Sequence, residues 1–200
     1  MSNKIILASK SKIRAEILKN NGFDFDVLPS NVDEDQAKES MLNQNADPLS
    51  ISKNLAELKA NKISQKYPEK IVLGVDSVID LSGKLISKPK SREEALKILM
   101  DLNGEEHYLI SSICISRGGS MIWNYSGKSL LKMRNLQKSE LENYLSKIDD
   151  VTLKSYGVYQ IEAGGEFLFE RIEGDRENIM GLPIKQIKEY LGTLKWKIFF

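Results

Sequence analysis

Lys70-Ile71-Val72-Leu73-Gly74-Val75-Asp76-Ser77-Val78-Ile79-Asp80 is the stretch whose reading decides the fold. Aliphatic and β-branched residues follow one another almost without a break, as expected of a strand covered on both faces. A carboxylate inside such a run is costly to bury without a partner or a bound cation. In open α/β sheets the ends of these strands border the ligand crevice. Asp76 therefore has two readings. It caps a turn, or it binds a hard cation or accepts a proton from water.

Outward from this strand, Asp80-Leu81-Ser82-Gly83 turns the chain into a short strand, Lys84 to Ser87. Upstream, Asp47-Pro48 offers an N-cap followed by proline at the first helical position. The helix it opens runs to about Lys66, with Ile51, Leu55 and Leu58 facing inward. Lys59 follows Leu55 and Ile51 on that face, pointing into a cleft or snorkelling past the core. Earlier still, Lys4 to Ala8 reads as a strand and Ile13, Ile17 and Leu18 as a helical stripe stopped by Gly22. Phe23 to Leu28 is a second strand, closed by Pro29.

Downstream, Ser91-Arg92-Glu93-Glu94 is a capping box whose helix ends near Asn103-Gly104. Two strands, about 107–117 and 120–134, join through Gly118-Gly119, and Ser139 to Glu142 repeats the capping pattern. A segment rich in glycine and aromatic residues, 156–170, leads to a last helix near 184–193. Short apolar runs alternating with capped helices predict an α/β domain spanning 1–200.

The composition narrows the function. With 29 basic and 28 acidic residues intermixed, the net charge of +1 argues against a nucleic-acid polymer as partner. A small anion held by a few lysines stays open. At 41% hydrophobic and 28% charged, the chain can bury a core. Cys114, the only cysteine, permits no intrachain disulfide and no Cys-based zinc site, and in its apolar run it reads as a buried thiol. No apolar run is long enough to cross a membrane, so the expected location is the cytoplasm.

Local chemistry singles out a few segments. In Leu7-Ala8-Ser9-Lys10-Ser11-Lys12-Ile13-Arg14 a strand passes through hydroxyl residues straight into a helix, which aims free backbone N–H groups at one point. Arg14 could add a bidentate fork for phosphate, or Ser9 and Ser11 could be ordinary caps beside a solvated arginine. Lys88 precedes Pro89 and is held extended, ready for phosphate or simply part of a surface turn. Asp33-Glu34-Asp35 reads as an acidic loop or a metal ligand set. His107, the only histidine, has no second metal-ligating neighbour and reads as structural.

In their order these segments resemble the Maf family of nucleotide pyrophosphatases. The family's opening Leu-Ala-Ser-x-Ser-Pro-Arg-Arg corresponds to Leu7 through Arg14, and its Gly-x-Asp-Thr/Ser-Val to Gly74-Val75-Asp76-Ser77-Val78. Its Gly-Lys-Pro appears as Ser87-Lys88-Pro89, and its His-x-Val-x-Thr begins at His107, with Ser111 in place of threonine. Phe169 to Asp175 and Asn178-Ile179-Met180-Gly181-Leu182-Pro183 complete the match. Two departures stand out. Lys12-Ile13 replaces Pro-Arg, and Lys154-Ser155-Tyr156-Gly157 replaces Asp-Lys-Ala-Gly.

The resemblance implies an elongated mixed sheet flanked by helices, with two lobes around a cleft as in ITPase-like proteins, often as a homodimer. It implies hydrolysis of a nucleoside triphosphate to monophosphate and pyrophosphate with Mg²⁺ or Mn²⁺. Asp76 becomes the proton acceptor and Glu34 its companion at the metal or a group that positions the water, while Ser9, Arg14, Lys59 and Lys88 meet the phosphates. Ile13, Ser77 and Glu162 occupy specificity positions. Lack of an arginine at 13 and a carboxylate at 162 point to a modified purine such as 7-methyl-GTP over a pyrimidine. The alternative is a nucleotide-binding regulator of growth or division that does not turn over.

Overall fold

The computed structural model describes residues 4–161 and 164–194. In chain order the elements are β1 (Ile5–Leu7), α1 (Lys12–Asn20), β2 (Phe25–Val27), α2 (Glu34–Leu42) and α3 (Pro48–Lys66). Next come β3 (Val72–Leu81), β4 (Lys84–Ile86), α4 (Arg92–Leu102), β5 (Glu106–Arg117) and β6 (Ser120–Met133). The rest are α5 (Lys138–Ser146), α6 (Asp150–Tyr156), β7 (Phe169–Glu173), α7 (Arg176–Ile179) and α8 (Ile184–Thr193). They build one mixed seven-stranded sheet ordered β2-β1-β3-β5-β6-β7, with β4 attached to β3. β1 runs parallel to β2 and β3, and the remaining pairs are antiparallel.

The pairing of β3 creates the cleft. β5 occupies one edge from Val72 to Asp80. The other edge is divided, because β1 pairs with Val72 and Leu73 whereas β4 pairs with Ile79 to Leu81. Among the described residues, 74–78 have no strand partner there, so side chains must satisfy the open backbone groups. The opening lies where the neighbouring strand changes, the position at which α/β sheets bind ligands.

Alternation along β3 assigns its two faces. Gly74 and Asp76 face α3, whose Ala56, Ala60 and Ile63 bury against Ile6, Val72 and Cys114. Leu73 and Val75 face the opposite way, toward Ile17, Leu18, Ile187 and Leu191 of α1 and α8. A third apolar cluster gathers at the far end of the sheet from α4, α5 and α6 with Ile86, Leu109, Leu131 and Phe169. It forms the core of one lobe, and the clusters on the two faces of β3 form the core of the other.

Most expected elements are present, with instructive differences. Asp47 caps α3, its Oδ1 accepting from Ser50 N at 2.7 Å. Leu58 is 45% exposed, not inward. The buried stripe runs through Ile51, Leu55, Ala56, Lys59 and Ala60. Ser91 Oγ accepts from Glu94 N, but the Glu94 carboxylate accepts from Lys90 N, one residue before the cap of a capping box. At α5 the cap is Gln137 with Glu140, so Ser139 lies inside the helix. Asp33-Glu34-Asp35 is no loop. Asp33 caps α2, accepting from Gln36 N at 3.0 Å, and Glu34 is the first helical residue. Among the described residues no helix is long and apolar enough to cross a membrane.

Candidate active site

One cavity of about 550 Å³ opens over the divided edge of β3. Ser9, Arg14, Glu34, Lys59, Asp76, Ser77 and Lys88 all line it, although the sequence spreads them from 9 to 88. Ile13 lines it as well, while its side chain packs against the α1–α8 cluster. Glu162 lies outside the described residues. Among the described residues six cations, Lys10, Lys12, Arg14, Lys38, Lys59 and Lys88, share the lining with two carboxylates, Glu34 and Asp76. In a chain of net charge +1 this concentration suits a polyanion.

Asp76 is 4% exposed. Its Oδ1 accepts from Lys59 Nζ at 2.8 Å, and Lys59 Nζ also pairs with Glu34 Oε1 at 3.0 Å. Lys59 thus joins the two carboxylates, and its own burial is tolerable only because both neutralise it. Asp76 Oδ2 is buried and, among the described residues, has no hydrogen-bond partner. Such an oxygen can accept a proton or bind a cation. Burial by itself would raise the Glu34 pKa, but Lys59, with Lys38 and Lys88, holds it below the ordinary glutamate value.

Arg14 sits on the opposite face of the sheet from Lys59. Its Nε donates to Gly181 O at 2.9 Å, and Nη1 donates to Ser9 Oγ and Val75 O, both at 3.1 Å. Nη2 donates to Ser77 Oγ at 2.9 Å. Four of the guanidinium's five N–H donors are therefore engaged, and the fork is turned to the protein. What remains for a ligand is one N–H and the charge. Burial lowers the Arg14 pKa, and nearby Asp76 and Glu34 oppose that shift.

Ser77 lies opposite Ser111 in the β3–β5 register, and their hydroxyls are 2.9 Å apart. Ser111 Oγ donates to Asn178 O at 2.9 Å, which uses its single proton. Ser77 must therefore donate to Ser111 while accepting from Arg14. Toward the cavity Ser77 offers only a lone pair.

Lys88 reaches across the cleft from the segment after β4 and donates to Ser155 O at 2.6 Å. Loss of water around its ammonium, together with the like charge of Arg14, holds its pKa below the lysine norm. Ser9 Oγ accepts from Ser11 N, and Ser11 Oγ caps α1 at Arg14 N, so the start of α1 opens into the cavity. Ser111, Asn178 and the carbonyls of Val75 and Gly181 position the site as well, and although all four lie within the matched motifs, residue types alone assigned none of them a role.

His107 is structural. It is 1% exposed, its Nε2 lies 3.0 Å from the Tyr159 hydroxyl, and its ring packs against Tyr159 and Phe169. Burial lowers its pKa to about 4. An unfolded histidine charges below about pH 6.5, whereas the folded one stays neutral until about pH 4. Stability should fall across that window by about 3 kcal/mol at most, with no further loss from this group below it. Urea unfolding from pH 8 to pH 4 should show the slope in wild type and a shallower one in His107→Gln.

Against known proteins, the family model described as Maf-like protein matches residues 4–194. A curated protein of Pelagibacter ubique named nucleoside triphosphate pyrophosphatase is 64% identical over 195 residues, covering 98% of this chain and all of that one. A protein of Brucella abortus named 7-methyl-GTP pyrophosphatase is 34% identical over 184 residues, 92% of each chain. Among solved structures, the Staphylococcus aureus Ham1 protein superposes with a TM-score of 0.54 at 15% identity, covering 95% of this chain and 98% of that one. That likeness extends to the fold.

Proposed function

The chain belongs to the Maf family, and from that premise we propose that it hydrolyses a nucleoside triphosphate between the α- and β-phosphorus, with Asp76 accepting the proton of the attacking water. It is a hydrolase, and one nucleotide and one water give a monophosphate and pyrophosphate. The observation that carries the catalytic reading is the Asp76–Lys59–Glu34 chain at a cation-lined cavity, with Asp76 Oδ2 buried and, among the described residues, unpartnered.

Phosphoryl transfer rests mainly on positioning and electrostatic stabilisation. Lys59 fixes the Asp76 carboxylate by Oδ1, leaving Oδ2 to receive the proton. Lys88 holds its wall through Ser155 O, a contact that a phosphate oxygen can replace. Arg14 acts chiefly as a charged bracket that fixes Ser9, Ser77 and the Val75 carbonyl. The start of α1 adds backbone N–H donors for phosphate oxygens.

Among the described residues no group of three or more His, Cys, Asp and Glu could hold a metal by itself. Two carboxylates with an unpartnered oxygen nevertheless suit Mg²⁺ or Mn²⁺, which take their other ligands from phosphate and water. Asp76 and Glu34 would hold the ion, and when bound it would offset phosphate charge and favour ionised water. The substrate reading extends to a modified purine. Ser77 offers an acceptor to a base N–H, Ile13 adds no competing charge, and Glu162 is a carboxylate that suits a guanine edge or a 7-methylated, positively charged base. A cytoplasmic, homodimeric protein completes the proposal, the unpaired cysteine fitting a reducing compartment.

The experiment offers 7-methyl-GTP, GTP, UTP and dTTP to purified protein, with and without Mg²⁺ or Mn²⁺. The expected products are monophosphate and pyrophosphate in equal amounts. Diphosphate and orthophosphate as first products would overturn the α–β assignment. Binding without products on every nucleotide would leave a regulator.

A further inference from the structure

The cavity is chemically two-sided. Toward α1 and α3 it is polar and cationic, and toward the α4–α6 lobe it is walled by Leu85, Ile86, Leu109, Val158 and Ile161. Two aromatic rings line it, Tyr156 and Tyr159. Tyr159 is committed, buried with its hydroxyl at His107 and its ring edge-on to Phe169 at 4.9 Å. Tyr156 is not. It is half-buried at the last position of α6, and it has no hydrogen bond or ring contact among the described residues. Gly157 follows with φ +101°, a conformation that ends the helix.

A flat ring that borders a ligand cavity without a partner of its own is a stacking surface. Base–aromatic stacking needs no directional bond, and the negative face of a phenol ring favours a positively charged partner. We propose that Tyr156 is the platform on which the nucleobase stacks, and that it selects planar, electron-poor bases, N-alkylated cationic purines above all. The assignment rests on the reading of the cavity as a nucleoside triphosphate site. The base then lies at the apolar wall, and the phosphates extend toward Lys59 and Asp76.

Calorimetry tests this directly by measuring binding of 7-methyl-GTP, GTP and inorganic tripolyphosphate to wild type, Tyr156→Phe, Tyr156→Leu and Tyr156→Ala. Tyr156→Ala should weaken 7-methyl-GTP about tenfold or more and GTP by less. Tripolyphosphate, which has no base, should change by less than about twofold. Tyr156→Phe keeps the ring and should stay close to wild type. Tyr156→Leu keeps apolar bulk and should lose the preference for the methylated base. Equal losses for tripolyphosphate and nucleotide would overturn the assignment, as would 7-methyl-GTP affinity unchanged in both Tyr156→Ala and Tyr156→Leu. Because these measurements read binding, a wild-type protein that bound nucleotide and released no pyrophosphate would defeat the proposed activity and leave this test intact.

Discussion

Asp76→Asn should slow pyrophosphate release at least about a hundredfold while nucleotide affinity stays within about threefold. The reason is that the amide preserves what is structural and removes what is chemical. Its oxygen can still accept from Lys59, as Asp76 Oδ1 does at 2.8 Å. In place of the unpartnered Oδ2 stands an NH₂ group, which donates and can neither take a proton from water nor ligate a cation. Charge also shifts, since Lys59 keeps Glu34 at 3.0 Å but loses its nearer anion. The surplus positive charge favours triphosphate binding, so a loss confined to turnover is the signature. A rate within tenfold of wild type would remove Asp76 from the mechanism.

Gly74→Ala should destabilise the fold by about 3 kcal/mol or more and take much of the activity with it. A methyl at this position would stand 2.1 Å from Ala56 O and 2.7 Å from Ala60 N. Both obstacles are helix backbone, which has no side-chain rotation to relieve the clash. α3 must retreat from β3, and Lys59, one residue before Ala60, retreats with it from Asp76. Glycine is needed here for approach, not for backbone freedom. Gly192→Ala on α8 is the matching control, because among the described residues its methyl meets nothing within 4 Å and should leave stability unchanged or raise it. Equal urea midpoints for wild type and Gly74→Ala would contradict the packing argument.

The sequence made those elements legible whose burial leaves a pattern. β3, β5 and β6 are apolar enough to announce themselves, and α3 carries both a cap and a buried stripe. α2 went unread because it buries no residue and so has no apolar face for periodicity to detect. β7 was missed for a similar reason: Phe169-Glu170-Arg171-Ile172-Glu173 is short and mostly charged, and its pairing partner, β6, does the specifying. The site divides the same way. Asp76 stood out as a charge in an apolar strand, whereas Ser9, Arg14, Lys59 and Lys88 each had an ordinary surface explanation. Only the sheet connection brings them to one cavity. Arg14 shows the limit of reading residue types, since its fork was legible but its use on Ser9, Val75, Ser77 and Gly181 was not.

The divided edge of β3 has a consequence for how the molecule comes apart. To the eye the cleft is a border between two bodies, yet β3 and β5 cross it unbroken, contributing Val75 and Ile113 to one apolar cluster and Ile79 and Leu109 to the other. No scission of the chain would yield a half that keeps its own interior. Heat or urea should therefore melt both sides in one step, with the nucleotide groove vanishing at the same midpoint as the sheet.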